Sequence, residues 1–406
     1  MVVLALSFQQ DYAMQRRIIT LLLGILLLCA PTTQAQEALT NQAKISILTS
    51  APWAEEIYAL FGHTALRVKD PEQNLDIVFN YGLFDFSQPN FLYHFVKGET
   101  DYQLGGIYYS DYLKENYDRG LATTEQVIAL DSLQRQQLWS NLMVNYQPEN
   151  RRYRYNFFYD NCATRPLYMI ESTIGDSLNF APIDTLYTFR ELVHQCTASY
   201  QWVTFGIDLV LGRDADQHAT PREHLFLPHY MMKGLASATT TNGKAAVSQT
   251  NELILTHTSK ENENEPSRLS APTIFALIVL LLSITFTYNA KLQRWYHPAE
   301  TAIFILAGLC GCLITFLAFF SVHPAVSNNA HLLWLNPLQL LIPLSGTIKA
   351  MRRSTYYLHF CNFVAITVFI TLHGWYGQVV PTASILLAAA LWSWSFYYIY
   401  VKRKKS

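Results

Sequence analysis

The strongest constraint on this chain lies in its C-terminal third. Five apolar stretches occur there, at about 272–289, 300–320, 331–347, 356–373 and 380–401. Each is close to the roughly 20 residues that carry a helix through the hydrocarbon of a bilayer. Helices are favoured in lipid because they satisfy every backbone polar group internally. The segments between the stretches alternate in charge. Lys291 and Arg294 lie in the first, and 321–330 has no Lys or Arg. Lys349, Arg352 and Arg353 follow the third stretch, 374–379 has no Lys or Arg, and Lys402 to Lys405 are all basic. Basic loops stay in the cytoplasm, so the tail is expected there. Five crossings then put residue 271, and everything before it, on the outer side.

The start of the chain points the same way. Arg16 and Arg17 precede the apolar run Ile18 to Ala30, and Thr33-Gln34-Ala35 has the look of a cleavage site. Residues 1–35 therefore read as a signal peptide, with Met14 as an alternative start because residues 1–13 do not fit its n-region. Cys29 follows the bulky Leu28 rather than a small residue, so cleavage after Ala35 is expected instead of lipidation. The rest divides by composition. Residues 36–234 form an α+β periplasmic domain, 235–271 a polar linker rich in Ser, Thr, Asn and Glu, 272–401 an all-α five-helix transmembrane domain, and 402–406 a basic cytoplasmic tail. This is the pattern of a multi-pass protein of a bacterial inner membrane. A net charge of −1 gives no electrostatic footprint for nucleic acid.

Within the exported domain, Lys44 to Thr49, His63 to Val68 and Leu75 to Tyr81 read as strands. Ser50, with Pro52 after it, opens a short helix ending at Gly62. Asp131 caps a helix to about Tyr146 whose apolar face carries Leu138, Trp139 and Leu142. Arg151 to Phe158 reads as a strand, and Cys162 enters a helix running to about Ser172. Asp160 or Asn161 is the candidate cap. Pro166 disfavours helical angles at Arg165, so Cys162 sits either in the first turn or on the turn before it.

A thiol attacks carbonyls as a thiolate, and its pKa falls at a helix N-terminus or beside an imidazole. His63, after Gly62 and at a strand start, is the candidate base, with His94 as runner-up. A hairpin pairing Val68 with Leu75 sets Asn80 opposite His63, with Cβ atoms roughly 5 Å apart. Asn80 is thus the candidate for orienting the imidazole, ahead of Asp85. Tyr159, Asn161 and Arg165 flank the thiol as candidate substrate contacts. Arg151, Arg152, Arg154 and Arg165 are either a solvated face or a binder of phosphate headgroups. The residues alone leave three readings of Cys162: nucleophile, buried thiol, or half of a disulfide with Cys196.

"FGHTALRV", then "YDNCATR" about 100 residues later, then "FLPHY" and "HPAVSNNAHLLWLNPLQLL", resemble the Lnb family of lipoprotein N-acyltransferases. The resemblance covers nearly the whole mature chain. It implies a circularly permuted papain/NlpC-like domain, in which the His strand precedes the Cys helix. It also implies Cys162 as nucleophile and His63 as base. The implied reaction moves an acyl chain from a membrane phospholipid, through a Cys thioester, to the N-terminal amine of diacylated lipoproteins. No metal or cofactor is expected. The outer loop 321–330, with His323, Asn328 and Asn329, is a candidate lipid entry. Two rivals use the same residues: a membrane-tethered cysteine peptidase or amidase cutting envelope peptides, and a non-enzymatic envelope scaffold with a Cys162–Cys196 bond.

Overall fold

A computed structural model describes residues 38–84, 89–175, 178–182, 185–254, 270–289, 292 and 296–405. The signal segment, Asp85, and the basic residues Lys291 and Arg294 lie outside the described residues. The chain is α+β up to residue 254 and helical from residue 271.

The α+β part is built on one seven-stranded antiparallel sheet. Its strands are β1 (Lys44–Ser50), β2 (His63–Asp70), β3 (Leu75–Phe84), β4 (Asp101–Tyr108), β5 (Thr123–Ile128), β6 (Arg152–Arg154) and β7 (Val247–Ile254), in the order β6-β4-β3-β2-β1-β5-β7. Alternation along the strands separates two faces. Ile45, Ile47, Leu66, Val68, Phe79 and Tyr81 form the main core. Three helices contribute to it: α3 (Ser132–Tyr146) and α4 (Thr164–Ile174) through Leu138, Leu142, Leu167 and Ile170, and α7 (Pro228–Ser237) through Met231 and Leu235. The other face packs Leu48, Ala65 and Val78 against Tyr112 of α2 (Tyr109–Asp118). Asp131 caps α3 through a full capping box, its carboxylate accepting the Gln134 N–H at 2.8 Å.

Three expectations about this part change. The turn after β2 is shorter than expected, because Asp70 still pairs with Leu75 and Val68 pairs with Ile77. The hairpin register therefore moves by two residues. A two-residue shift keeps every side chain on its own face. The strand expected over 151–158 contracts to Arg152–Arg154, because Asn156 and Asp160 exchange backbone hydrogen bonds in a tight turn. The stretch expected to be a polar linker contains the end of a helix and all of β7, which pairs with β5. An otherwise open sheet edge supplies the hydrogen bonds that its polar composition does not advertise.

Among the described residues four helices are long and apolar enough to cross a membrane: α8 (Ala271–Tyr288), α9 (Tyr296–Phe320), α11 (Ser354–Tyr376) and α12 (Thr382–Lys405, its apolar part ending at Val401). Leu281, Leu309 and Trp375 stand more than half exposed on them, a placement suited to lipid and not to water. The third apolar stretch is not one helix. It forms 3-10 turns at Ala330–Leu333 and Pro337–Leu340 and then the short α10 (Leu341–Thr347). Pro337 and Pro343 remove the N–H groups that a continuous helix would need. Polar side chains satisfy the freed backbone: Gln339 Nε2 donates to the Trp334 carbonyl at 2.8 Å and to Asn362 at 2.7 Å. The segment still runs along α11. Ala330 meets Gln378 just beyond that helix, Trp334 meets Phe369, and Gln339 meets Asn362. The third apolar stretch thus packs along α11 as an irregular segment.

Two bundle loops grip the sheet domain. The Val322 N–H donates to the Lys97 carbonyl, and His323 Nε2 donates to the Phe95 carbonyl, both at 2.8 Å. Lys97 and Phe95 belong to α1 (Phe91–Lys97). Asn329 Nδ2 donates to the carbonyls of Leu209 and Val210, at the end of α6 (Gln201–Val210). Gln378 Nε2 donates to the Leu211 carbonyl. His323, Asn328 and Asn329, expected at a lipid entry, are instead engaged in this clamp.

Candidate active site

Cys162 stands on the turn before α4, the second of the two placements left open by Pro166. Asn161 holds it there. Its Oδ1 accepts the N–H groups of Ala163 and Thr164, at 2.8 and 3.0 Å. Its Nδ2 donates to the carbonyls of Phe157 and Phe226, both at 2.8 Å. Buried and with this capacity used, Asn161 shapes the loop and has nothing left for a substrate. Arg165 is committed too. Its guanidinium forks onto Asp160 at 2.6 and 2.7 Å and lies 3.7 Å from the centre of the Tyr153 ring. Of the three expected substrate contacts, Tyr159 is the one that stays open to solvent.

His63 opens β2. Gly62 before it has φ +77°, and a Cβ there would sit 2.9 Å from the Ser50 carbonyl oxygen. Only glycine makes that entry without strain. With the shifted register Asn80 pairs with Ala65 and lies diagonal to His63 on the same face. The contact survives: His63 Nε2–H donates to Asn80 Oδ1 at 3.1 Å. His63 also meets the Cys162 thiol, and each group shifts the pKa of the other. The backbone N–H groups of Thr64 and of Cys162 itself also point at Sγ.

The electrostatics follow. Burial acts against a thiolate, but the His63 imidazole and the two N–H groups outweigh it and hold the Cys162 pKa below its ordinary value. Burial acts against the imidazolium as well. Cys162 and Asn80, with a smaller contribution from Glu115, outweigh it and raise His63. The pair therefore favours thiolate and imidazolium together. Around it stand Tyr153 and Tyr155, whose hydroxyls burial and the charge of Cys162 keep protonated. Tyr102 stacks on Tyr155 with centroids 4.2 Å apart. Gly82, at φ +88°, leaves the space between them: a Cβ there would meet Tyr155 at 3.4 Å and Cys162 Cβ at 3.8 Å.

Cys162 and Cys196 are both free thiols, so the disulfide on which the scaffold reading depended is absent. Burial pushes the Cys196 thiol up to about 11, which makes it unreactive at neutral pH. His94 lies on α1 facing Glu99 and takes no part. Among the described residues no group of three or more His, Cys, Asp or Glu could hold a metal ion. The sequence reading missed the N–H of Thr64 and the Tyr102–Tyr155 stack. Tyr153 and Tyr155 alternate in "YRYNF", a signal that one face of this run is aromatic.

Two family models match the chain. The Lnb N-terminal periplasmic domain matches residues 32–195, and the Lnb transmembrane domain matches residues 263–406. No curated protein and no solved structure matches it.

Proposed function

Because the periplasmic and the transmembrane domain of the Lnb family follow one another here, the chain belongs to that family, and from that premise we propose that it is a lipoprotein N-acyltransferase working through a Cys162 thioester. Membership makes it a lipoprotein-processing membrane protein; the chemistry is our reading. The observation that carries it is a paired thiol and imidazole on a domain clamped to a membrane bundle.

In the first half-reaction the thiolate attacks an ester carbonyl of a membrane phospholipid. The C–O bond breaks, the His63 imidazolium gives its proton to the leaving alkoxide, and a lysophospholipid departs. In the second, the N-terminal amine of a diacylated lipoprotein attacks the thioester carbonyl. Neutral His63 accepts the amine proton, the C–S bond breaks, and the thiolate–imidazolium pair is restored. Asn80 keeps the ring oriented throughout, and one nucleophile serving two substrates in turn implies ping-pong kinetics. No step calls for a cofactor. The clamp favours this reading over a peptidase or amidase, for which a single anchor would suffice.

The test uses purified protein, phospholipid vesicles and a synthetic diacylated lipopeptide. The lipopeptide should gain one acyl mass on its amine, and Cys162 should carry an adduct that hydroxylamine removes. If the lipopeptide is unchanged while envelope peptides are cut, the peptidase reading replaces this one.

The orientation follows the charge pattern, with the sheet domain in the periplasm and the C-terminus in the cytoplasm. Reporter fusions after residues 295 and 402 should read cytoplasmic, and one after 326 periplasmic. A periplasmic signal at 402 would overturn the five-pass count.

A further inference from the structure

A run of aromatic rings leads from the bundle to the thiol. Tyr93 of α1 packs on Phe316 near the end of α9, with centroids 6.1 Å apart. On the same helix Phe91 and Phe95 stack on one another, and both meet Phe84 at the end of β3, at 6.1 and 6.3 Å. Phe84 meets Tyr102 of β4 at 4.7 Å, and Tyr102 stacks on Tyr155 at 4.2 Å. Tyr155 and Cys162 both border the space left by Gly82. We propose that this strip holds the acyl chain of the Cys162 thioester, a hydrocarbon chain that enters from the outer leaflet past α1. The inference rests on the acyl-transfer reading and adds to it the place where the chain lies.

The strip is accessible along its length. Phe84, Phe91, Tyr102, Tyr155 and Cys162 are all half-buried, and Phe95 is exposed. Exposed Tyr58 lies edge-on to Phe84 and widens it. A contiguous apolar patch of this kind marks an interaction site. Register makes it continuous. Phe84 and Tyr102 are paired residues of β3 and β4, so their rings share one face. Tyr155 follows directly on β6 and closes the run toward the sulfur.

The composition of the strip selects a hydrocarbon chain. Burial raises the Tyr102 hydroxyl, and burial together with the charge of Cys162 raises that of Tyr155, so both stay protonated and the strip is uncharged. Ring faces meet an alkyl chain without asking for hydrogen bonds. A peptide laid on them would gain no partners for its backbone N–H and C=O groups.

The two ends fix the source of that chain. At the far end the bundle holds α1, through His323 on the Phe95 carbonyl and the Val322 N–H on the Lys97 carbonyl. An apolar helix face beside the end of a membrane helix lies at the lipid surface. At the near end stands the sulfur to which the chain is bonded. The thioester is common to both half-reactions, so one strip serves the donor that delivers the chain and the amine that takes it.

N-alkylmaleimides test the strip through the thiol, with no acyl donor present. The full-length protein in detergent is labelled with N-ethylmaleimide or N-dodecylmaleimide, and mass spectrometry quantifies the Cys162 peptide. Phe84→Ser with Phe91→Ser should slow the dodecyl reagent at Cys162 about tenfold, since two apolar contacts are lost. The ethyl reagent should keep its wild-type rate. Both proteins sit in the same micelles, so partitioning of the reagent cancels. An equal loss with both reagents reports a disturbed thiol, and the unsubstituted protein then decides. There, a dodecylmaleimide with a diazirine at its chain end is coupled to Cys162 and photolysed. Insertion should fall on Phe84 or within Phe91–Phe95. Insertion elsewhere in the chain or into detergent alone, or a variant that keeps the wild-type dodecyl rate, overturns the proposal. The expected insertion without acyl transfer to the lipopeptide keeps the strip and ends the transferase reading; acyl transfer with insertion elsewhere does the reverse.

Discussion

Cys162→Ser should abolish lipoprotein N-acylation in cells lacking other N-acyltransferases, with the protein still folded and inserted. Mass spectrometry of lipoprotein N-terminal peptides reads the result directly. A hydroxyl is nearly isosteric with the thiol, but His63 is partnered by a neutral amide and not by a carboxylate, so nothing strengthens it enough to ionise a serine. The thiol needs far less help, because its pKa is already lowered by the imidazole and two backbone N–H groups. His63→Ala removes the main opponent of burial at that thiol, and the thiolate population at neutral pH should collapse. We expect a loss of roughly a thousandfold, the middle of the range for general acid–base groups. Asn80→Ala removes one hydrogen bond to the ring. A bond worth about 1 kcal/mol predicts a loss of somewhat under tenfold. Cys196→Ser should leave the rate unchanged. The pH dependence carries a sign. Cys162 is lowered, so its ionisation persists to lower pH than a free thiol's; His63 is raised, so its proton persists to higher pH than a free imidazole's. Iodoacetamide reactivity of Cys162 should therefore begin below the ordinary thiol range, and in His63→Ala it should move upward. Normal acylation by Cys162→Ser would end the thioester mechanism.

The three residues at the centre of that test were legible for different reasons. His63 and Cys162 follow from chemistry at element boundaries, a glycine-led strand start and a helix entry. Asn80 was reached through a register wrong by two residues. The error was harmless because pleating repeats every two residues, and a diagonal neighbour stays within reach. The partners of Asn161 and Arg165, Phe226 and Tyr153, meet them only in the fold. A polar residue beside a nucleophile looks the same in sequence whether it holds substrate or holds the loop.

The membrane part was legible in amount and less so in form. Apolar length marks what lies in lipid, and the four continuous helices fall where expected. The third apolar stretch carries Pro337 and Pro343 inside an apolar run, and what replaces the helix depends on Gln339 finding Asn362. β7 was hidden for a related reason. Its stability comes from the edge of β5 and not from its own composition.

Arg190→Ala should do more damage to the assembly than any other single change away from the thiol. Arg190 lies on α5 (Phe189–Thr197), 1% exposed, a position that sequence patterning did not single out. Its guanidinium donates to Asp216 at 2.8 and 3.0 Å, to Asp208 at 2.8 Å, and to the carbonyls of Leu211 and Gly212 at 3.1 Å. The same groups reach the bundle. Leu211 also accepts from Gln378, Asp216 accepts the Val379 N–H at 3.2 Å, and the Gly212 N–H donates to the Ala325 carbonyl. One buried cation therefore organises the surface onto which both bundle loops dock. Removing it leaves two buried carboxylates without their cation, a change that costs about 3–5 kcal/mol. Arg190→Lys keeps the charge but not the fork, and should fall between. Arg190→Met combined with Asp208→Asn and Asp216→Asn removes the uncompensated charges, and should recover much of the loss. Limited proteolysis of the membrane-embedded protein reads the docking, with faster cutting between residues 198 and 270 expected in Arg190→Ala. Acyl transfer should fall in step, while iodoacetamide reactivity of Cys162 holds, since the thiol's own contacts are elsewhere. If proteolysis and transfer match wild type, the docking does not depend on this cation, and catalysis does not depend on the clamp it supports.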